Sequence, residues 1–392
     1  MYNRKNDVLN NTKGDETKVS GSWKYSGGNA QLAMIALTGW YGLANESIAP
    51  FNTNKWTLSS KLGQKDAAIL KNGFFLGNNP STSVVKSYIK KYGSVVVAYH
   101  APETTEEDEE FYDVSHKSYN CTLSEDTANH IVTIVGWNDN YSKDKFGEAS
   151  KPKKNGAWII KNSWGSSEDD KGYTYISYED KSMCEFLSGQ FVKSSTYKYN
   201  YFYDGSANPS AYRLKKGQQI ANIYTAKKGT KKKKETLKAV NVVTMNPNVK
   251  YSIQIYKNPK KGKPASGKKL LKRAMTGTIK EAGTHTIDLK QKVKLVKGEK
   301  FSIVIKMRST TLVGCDHSDN FGWFVAVDDQ YCALIPKREA YGKFHVGERV
   351  EARVAGVKAD GKLDLSVREK AFIQMDVDAE KILKDMNSRG GG

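Results

Sequence analysis

The feature that most constrains this sequence is a pair of apolar segments, each bounded by a polar residue of a catalytic type. His130 stands directly before the segment Ile131–Trp137, and Asn162 stands directly after Ala157–Lys161. Short runs rich in Ile and Val are typical of buried β-strands. If the two strands are neighbours, the two side chains can meet, and an imidazole held by an amide oxygen is a general-base arrangement. A His before an apolar strand also occurs as a structural residue, so this spacing alone leaves both interpretations open.

The residues around this pair resemble the His and Asn segments of papain-type cysteine peptidases. The resemblance is carried, in chain order, by Gly27–Asn29, Trp40–Gly42, Asn45-Glu46, Ser83–Val97, Asn129–Trp137, Asn155–Gly165 and Gly172-Tyr173. It extends from about Gly27 to Val192 and implies the α+β papain-like fold. By this resemblance His130 is the general base, Asn162 orients its ring, and Trp164 shields their hydrogen bond from water.

Two departures from the family pattern affect the expected activity. The family's nucleophile lies in a Gly-x-Cys-Trp segment with an oxyanion-hole glutamine shortly before it, and neither occurs here. Gly21-Ser22-Trp23 echoes that segment without its cysteine. We therefore expect the chain to begin after the active-site helix and to lack peptidase activity by itself. The second departure is Ser166–Lys171, where the family usually repeats Trp-Gly.

The four cysteines are Cys121, Cys184, Cys315 and Cys332, and they lie far apart in the sequence. Their spacing fits neither a disulfide framework nor a zinc site, whose ligands come in close pairs. We predict no metal and no cofactor. Cys121 and Cys184 do not head a helix, the position where a thiol pKa is lowered, so we interpret both as structural residues.

The stretch 194–313 is predicted to be a β-sandwich, because short strands alternate with turns rich in Gly, Asn, Pro and Lys. It resembles the lectin-like domain that accompanies this type of peptidase in bacteria. The resemblance is carried by Tyr201–Gly205, Ala221–Ala226, Glu235–Val240, Tyr251–Tyr256, Gly283–Ile287 and Gly298–Ile305. A carbohydrate is the ligand that the resemblance implies, but a fold does not establish sugar binding.

The last stretch, 314–392, resembles an S1-type RNA-binding domain, which is a five-stranded OB barrel. The resemblance is carried by Phe321–Val325, Leu334–Pro336, Val346–Val354 and Lys358–Ser366. Such barrels stack bases on exposed aromatic rings beside cations. The candidate RNA-binding residues are Phe321, Phe324, His345 and Arg353. The alternative is that Phe324 is a core residue and the others are ordinary surface. A first barrel strand is not recognisable before Asn320, so this copy is expected to be incomplete.

The formal net charge of +20 favours contact with a polyanion, yet Lys occurs along the whole chain, and the run at Lys227–Lys234 is also typical of a solvated loop. No apolar run approaches the roughly 18 residues that a membrane span needs, and the first residues are polar. The peptidase and lectin-like resemblances imply an extracellular or cell-surface location.

The sequence thus predicts a papain-like region at residues 1–193 that is incomplete at its start, a lectin-like sandwich at 194–313 and an S1-like barrel at 314–392. The expected function is proteolysis by Cys/His/Asn chemistry, with a peptide or protein as substrate. Two alternatives stay open: a non-catalytic protein that binds carbohydrate or RNA, and a truncated or fused gene product.

Overall fold

The computed structural model describes residues 9, 28–40, 43–50, 67–165, 171–203, 209–309, 311–316, 322–327, 331–336, 352–357 and 363–367. The chain divides into two compact units, Met1–Asp316 and His317–Gly392. The described α-helices are α1 (Ala30–Thr38), α2 (Thr82–Tyr92) and α3 (Thr105–Phe111), and short 3-10 turns occur in the loops. Strand dominates the described residues of both units.

The strands of the first unit up to residue 193 are β1 (Ala68–Gly77), β2 (Val95–Tyr99), β3 (Tyr112–Asp113), β4 (Ser118–Tyr119), β5 (His130–Asn138), β6 (Ala157–Lys161), β7 (Tyr173–Ser177) and β8 (Cys184–Lys193). Those that follow are β9 (Pro209–Leu214), β10 (Gln219–Thr225), β11 (Glu235–Thr244), β12 (Val249–Lys257), β13 (Lys268–Lys269), β14 (Met275–Ile279), β15 (Ala282–Leu295), β16 (Lys300–Met307) and β17 (Thr311–Asp316). The second unit contains β18 (Gly322–Val327), β19 (Tyr331–Pro336), β20 (Arg353–Val357) and β21 (Leu363–Ser366).

The helices have local signals at their ends. Helix α1 begins at Asn29, whose side chain accepts the Leu32 backbone N–H at 2.8 Å. Helix α3 begins at Thr104 in the same way, and its first turn carries three acidic residues that favour the helix N-terminus. Helix α2 buries Val85 and Ile89 against the sheet and ends at Gly93.

One sheet runs through the whole first unit. Twelve described strands follow the order β3-β4-β7-β6-β5-β2-β8-β1-β15-β11-β17-β9. Strand β1 makes the connection, because it pairs antiparallel with β8 on one side and with β15 on the other. The region resembling a peptidase and the region resembling a lectin therefore share backbone hydrogen bonds, rather than being linked by a flexible segment.

We call the pairing of β1 with β15 the seam. Gly283 of β15 faces Phe74 in the register and has a φ of 131°. A Cβ atom there would lie 2.0 Å from the Gly73 carbonyl oxygen, so only glycine allows this close approach. Polar contacts add to the seam: Lys71 Nζ lies 2.6 Å from Asp288 Oδ2, and the Asn72 amide oxygen accepts the Thr286 N–H at 2.9 Å.

The first unit has one hydrophobic core on each side of the seam. The first includes Val97, Ile134 and Ile160, which are almost fully buried under α2 and the neighbouring strands. The second lies between the long sheet and a smaller sheet of order β10-β16-β12-β13, in which β14 also pairs with β12. Ile253, Ile255 and Phe301 are its most buried members. This second core is the interior of a two-layered sandwich.

In the second unit the described strands form a sheet of order β18-β19-β21-β20. Strands β19 and β21 are parallel, and the other two pairs are antiparallel. Strand β17 belongs to the long sheet, where it pairs with β9 and β11. In the sequence, Asp360-Gly361 is typical of a tight hairpin turn, and Asp376–Met386 has the pattern of a closing helix. Both segments lie outside the described residues.

Candidate active site

The site forms at one end of three adjacent strands. Strand β5 lies between β2 and β6, antiparallel to both. His130 is the first residue of β5 and faces Tyr99, the last residue of β2. Asn162 directly follows β6, whose last residue Lys161 pairs with Thr133. Because the start of β5 and the end of β6 lie at the same end of the sheet, the sheet brings the side chains of His130 and Asn162 together.

His130 and Asn162 are joined by a hydrogen bond of 3.0 Å between the imidazole Nε2 and the amide Oδ1. The indole of Trp164 stacks on the imidazole, with ring centroids 4.6 Å apart and planes 23° apart. Tyr99 contacts the same imidazole edge-on at a centroid distance of 5.8 Å. Trp164 is itself 66% exposed, so it covers His130 on the side of the solvent.

The orientation of the Asn162 amide is fixed by a second donor. Its Oδ1 also accepts the Ser163 backbone N–H at 2.7 Å, so this atom must be the oxygen. The backbone N–H of Asn162 donates to the Gly172 carbonyl at 3.0 Å. Since Oδ1 can only accept, the imidazole Nε2 carries the proton in the neutral ring. The remaining nitrogen, Nδ1, is then an acceptor, and it has no hydrogen-bond partner among the described residues.

Asn129 holds the loop in front of the site. Its side chain accepts the Ala101 N–H at 2.7 Å and donates to the Ala101 carbonyl at 2.9 Å and to the Glu103 carboxylate at 2.8 Å. These bonds join the start of β5 to the segment after β2. Sequence reasoning placed Asn129 in the motif but assigned it no function.

Gly172 was likewise recognised only as part of a motif. Its φ is 77°, and a Cβ atom on it would lie 2.9 Å from the Gly165 carbonyl oxygen. Because Gly172 has no side chain, the chain can return close to Asn162. A glycine directly before a strand is the sequence signal for such a close approach of two backbone segments.

Neither described free cysteine has the properties of a nucleophile. Cys121 is completely buried, and burial raises the pKa of its thiol. Burial likewise raises the pKa of the Cys184 thiol to about 12. A thiol with a raised pKa stays protonated near neutral pH, whereas catalytic cysteines need the thiolate. Both residues fill space in the first unit.

The predicted RNA-binding residues are described only in part. Phe324 lies in β18 opposite Leu334, and Arg353 is an exposed residue at the start of β20. Phe321 and His345 lie outside the described residues. The part of the chain that the structure describes contains no group of His, Cys, Asp and Glu side chains that could hold a metal ion. Among the same residues, no helix is long and apolar enough to cross a membrane.

Three protein-family models match successive regions of the chain, close to the three regions distinguished in the sequence. Residues 20–194 match the papain family cysteine protease model, and residues 198–314 match the lectin like domain model. The chain therefore carries a domain similar to papain family cysteine proteases, followed by a domain similar to the lectin like domain. Residues 318–369 match the second domain of the virulence regulatory factor CvfB. The C-terminal stretch is thus similar to a CvfB domain, and its identification as an S1-type RNA-binding barrel stays a prediction.

Curated relatives match shorter parts of the chain. The chain is 31% identical over 103 residues to serine-repeat antigen protein 5 of Plasmodium falciparum, which covers 26% of this chain and 9% of that protein. It is 32% identical over 123 residues to pro-cathepsin H of Mus musculus, covering 31% of each. The chain therefore spans less than a third of the length of either protein.

Solved structures extend the likeness across the seam. The chain is 26% identical to the clostridial cysteine protease Cwp84 after propeptide cleavage, with a TM-score of 0.60, covering 78% of this chain and 72% of that one. A structure of the cysteine protease and lectin-like domains of Cwp84 from Clostridium difficile shares the fold at 24% identity and a TM-score of 0.57, covering 72% and 62%. The papain-like and lectin-like domains occur together in that protein as well.

Proposed function

We propose that the papain-like domain uses His130 as the proton-transferring base of a cysteine peptidase, with Asn162 orienting it. The observation that carries this proposal is the hydrogen bond between His130 Nε2 and Asn162 Oδ1. That bond uses one ring nitrogen and leaves Nδ1 free to take a proton from a thiol. The base thus has the tautomer and the orientation that nucleophilic catalysis requires.

Trp164 is proposed to protect this hydrogen bond. Its indole lies nearly parallel to the imidazole at 4.6 Å and lowers the access of water to the bond. A hydrogen bond in a drier environment is electrostatically stronger, so the imidazole keeps its orientation while its charge changes. Tyr99 supports the ring from the direction of β2.

We further propose that this polypeptide alone does not hydrolyse peptides. Its sequence holds four cysteines, and the two in the papain-like domain are buried with raised thiol pKa values. Cys315 lies in β17, paired with Ser210 of the lectin-like domain, and Cys332 lies in the second unit. The base without a thiolate gives little catalysis, because the members of such a site act non-additively.

The test is an activity assay of the full chain on a broad fluorogenic peptide set under reducing conditions, with an epoxide inhibitor directed at thiols. We expect no turnover that the inhibitor suppresses and no labelling of Cys121 or Cys184 by mass spectrometry. Inhibitor-sensitive turnover with stoichiometric labelling of one of these cysteines would identify that residue as the nucleophile and overturn the proposal of inactivity. Cys121→Ser and Cys184→Ser would then show which of them acts.

For the second unit, we propose weak binding of single-stranded RNA. Two observations support it: the parallel pair β19 and β21 within an otherwise antiparallel sheet, which is compatible with a partly closed Greek-key barrel, and the exposed Arg353 on β20. Titration of labelled poly(U) against the full chain and against Arg353→Gln tests the proposal. We expect weaker binding by the variant, and equal binding would exclude a contact by this residue.

A further inference from the structure

Almost all of the net charge of the chain lies in one stretch of the lectin-like domain. Residues 227–300 contain 22 Lys and Arg but four Asp and Glu, which gives +18 of the formal +20. Lys occurs along the whole chain, but elsewhere Asp and Glu balance it. Such an excess of positive charge in one region destabilises the folded state by repulsion, unless counterions or a binding partner neutralise it.

More than half of these basic residues occupy three loops at one end of the smaller sheet. Strands β10 and β12 both lie antiparallel beside β16. The last residues of β10 and β12 and the first residues of β16 therefore lie at the same end of the sheet. The loops at this end are 227–234, 257–263 and 296–300, and we call them together the lysine end. Backbone hydrogen bonds join them: Lys297 N–H donates to Gly229 at 3.2 Å, and Asn258 N–H donates to Lys300 at 2.7 Å.

The lysine end has almost no acidic residue of its own. It holds 12 Lys and a single Glu. That residue, Glu299, is already bound to Lys257 at 2.6 Å. A carboxylate beside the first loop, Glu235, accepts the Tyr201 hydroxyl and the Lys228 N–H. The other 11 lysines are exposed, and none of them has an ion pair among the described residues.

We propose that the lysine end is a docking surface for an acidic polysaccharide. Ammonium groups are compact point charges, so a row of them accepts carboxylate, sulfate or phosphate groups in many orientations. A chain with a charge on each repeat can contact all three loops at once and release its counterions. The match of residues 198–314 to a lectin like domain favours a glycan as the carrier of those charges.

Two other polyanions fit less well. Nucleic-acid recognition commonly uses guanidinium groups for base edges and stacking, but Arg273 is the one Arg between residues 227 and 300. Binding at a membrane surface uses large apolar side chains that enter the lipid. The three loops contain none, since their sequences are KKGTKKKK, KNPKKGK and VKGEK. The surface therefore offers charge without an apolar anchor.

The experiment measures binding of the full chain to fluorescent polygalacturonate by anisotropy, with neutral dextran, poly(U) and phosphatidylglycerol vesicles as competitors. The test variant carries Lys231→Gln, Lys232→Gln, Lys233→Gln and Lys234→Gln. We expect its affinity to fall by at least about tenfold and its dependence on salt between about 50 and 200 mM to become less steep. Neutral dextran should not compete.

A matched control removes the same charge elsewhere, with Lys153→Gln, Lys154→Gln, Lys181→Gln and Lys193→Gln, all in the papain-like domain. We expect its affinity to change by less than about twofold. An equal loss in both variants would mean that only total charge matters and would overturn the proposal. Stronger competition by poly(U) or by the vesicles than by unlabelled polygalacturonate would also overturn it, in favour of a nucleic acid or a membrane.

Discussion

His285 packs edge-on against Phe74 at a ring-centroid distance of 5.9 Å, where the lectin-like β15 meets the papain-like β1. The imidazole is buried, and its Nε2–H donates to the Glu281 carbonyl at 3.0 Å. Burial lowers the pKa of His285 to about 4. Tyr88 and Tyr92 of α2 also contact Phe74, so Phe74 is the centre of an aromatic cluster at the seam.

The first prediction is that acid weakens this seam. The pKa of His285 is lower in the folded protein than the ordinary value of about 6.5, so its contribution to stability is present above pH 6.5 and is lost as the pH falls through about 4. Across that window His285 should account for about 3 kcal/mol of the free energy of unfolding. Urea denaturation at several pH values should show a smaller acid loss for His285→Gln than for the wild type. His116→Gln, at an exposed position, is the control, and equal acid losses for His285→Gln and the wild type would contradict the assignment.

The second prediction concerns the backbone contact across the seam. Gly283→Ala places a Cβ 2.0 Å from the Gly73 carbonyl oxygen, in addition to the strain of a φ of 131°. We expect the free energy of unfolding to fall by about 3 kcal/mol or more, because backbone must move. Gly298→Ala is the matched control, since its φ is 89° but no atom lies within 4 Å of the added Cβ.

For Gly298→Ala only the left-handed conformation is unfavourable, so the expected cost is about 1 kcal/mol. Chemical denaturation monitored by circular dichroism distinguishes the two effects. Similar losses for both glycines would show that the seam adjusts to a side chain and that the close approach is not required.

The third prediction is the tautomer of His130. Because Asn162 Oδ1 accepts two N–H groups, neutral His130 should carry its proton on Nε2. Nitrogen-15 NMR of the ring distinguishes the tautomers, and His130→Ala assigns the signal. Asn162→Ala should give a mixture of tautomers and cost about 1 kcal/mol of stability, as for the loss of one partly exposed hydrogen bond. Asn155→Ala serves as a control outside the site. A predominant Nδ1–H form in the wild type would refute the role given to Asn162.

The fourth prediction concerns the buried thiols. Burial raises the thiol pKa of Cys121 and Cys184, so alkylation of both by iodoacetamide at neutral pH should be slower than in denaturant by at least about tenfold. Peptide mapping by mass spectrometry separates them from Cys315 and Cys332. Rapid labelling of either residue in the native protein would show that its thiol reaches solvent.

Local pattern was sufficient for many elements of the papain-like domain. The predicted strand Ala157–Lys161 has those bounds in the structure. The sequence pattern also predicts a helix at Ser83–Lys91, and in the structure this helix extends from Thr82 to Tyr92. Apolar periodicity, a cap and a terminal glycine are read within one turn or one strand, so no distant contact is needed to recognise them. The acidic helix α3 was missed because its sequence TEEDEEF is polar up to its last residue, and only Phe111 is buried.

Strand β1 was missed for a different reason. Its sequence AILKNGFFLG holds a Lys, an Asn and a Gly between apolar residues, which breaks the alternation of an ordinary strand. In the structure these residues have partners: Lys71 binds Asp288, Asn72 binds Thr286 and Gln190, and Gly73 leaves room for the side chain of Thr284. All of these partners except Gln190 lie more than about 200 positions away in the chain, so no window of sequence contains them.

The sequence by itself determined which side chains can do chemistry: an imidazole before a strand, an amide after the next one, a tryptophan two positions later, and an excess of lysine between residues 227 and 300. These are properties of residue type and short spacing. Only the tertiary structure determines which of these side chains lie close together. Antiparallel pairing of β5 with β6 brings Nε2 of His130 to 3.0 Å from Oδ1 of Asn162, and the shared edge of β10, β16 and β12 gathers three lysine loops. Both depend on strand order, which is selected by burial of apolar faces between distant segments, and that burial has no signature in any one of them.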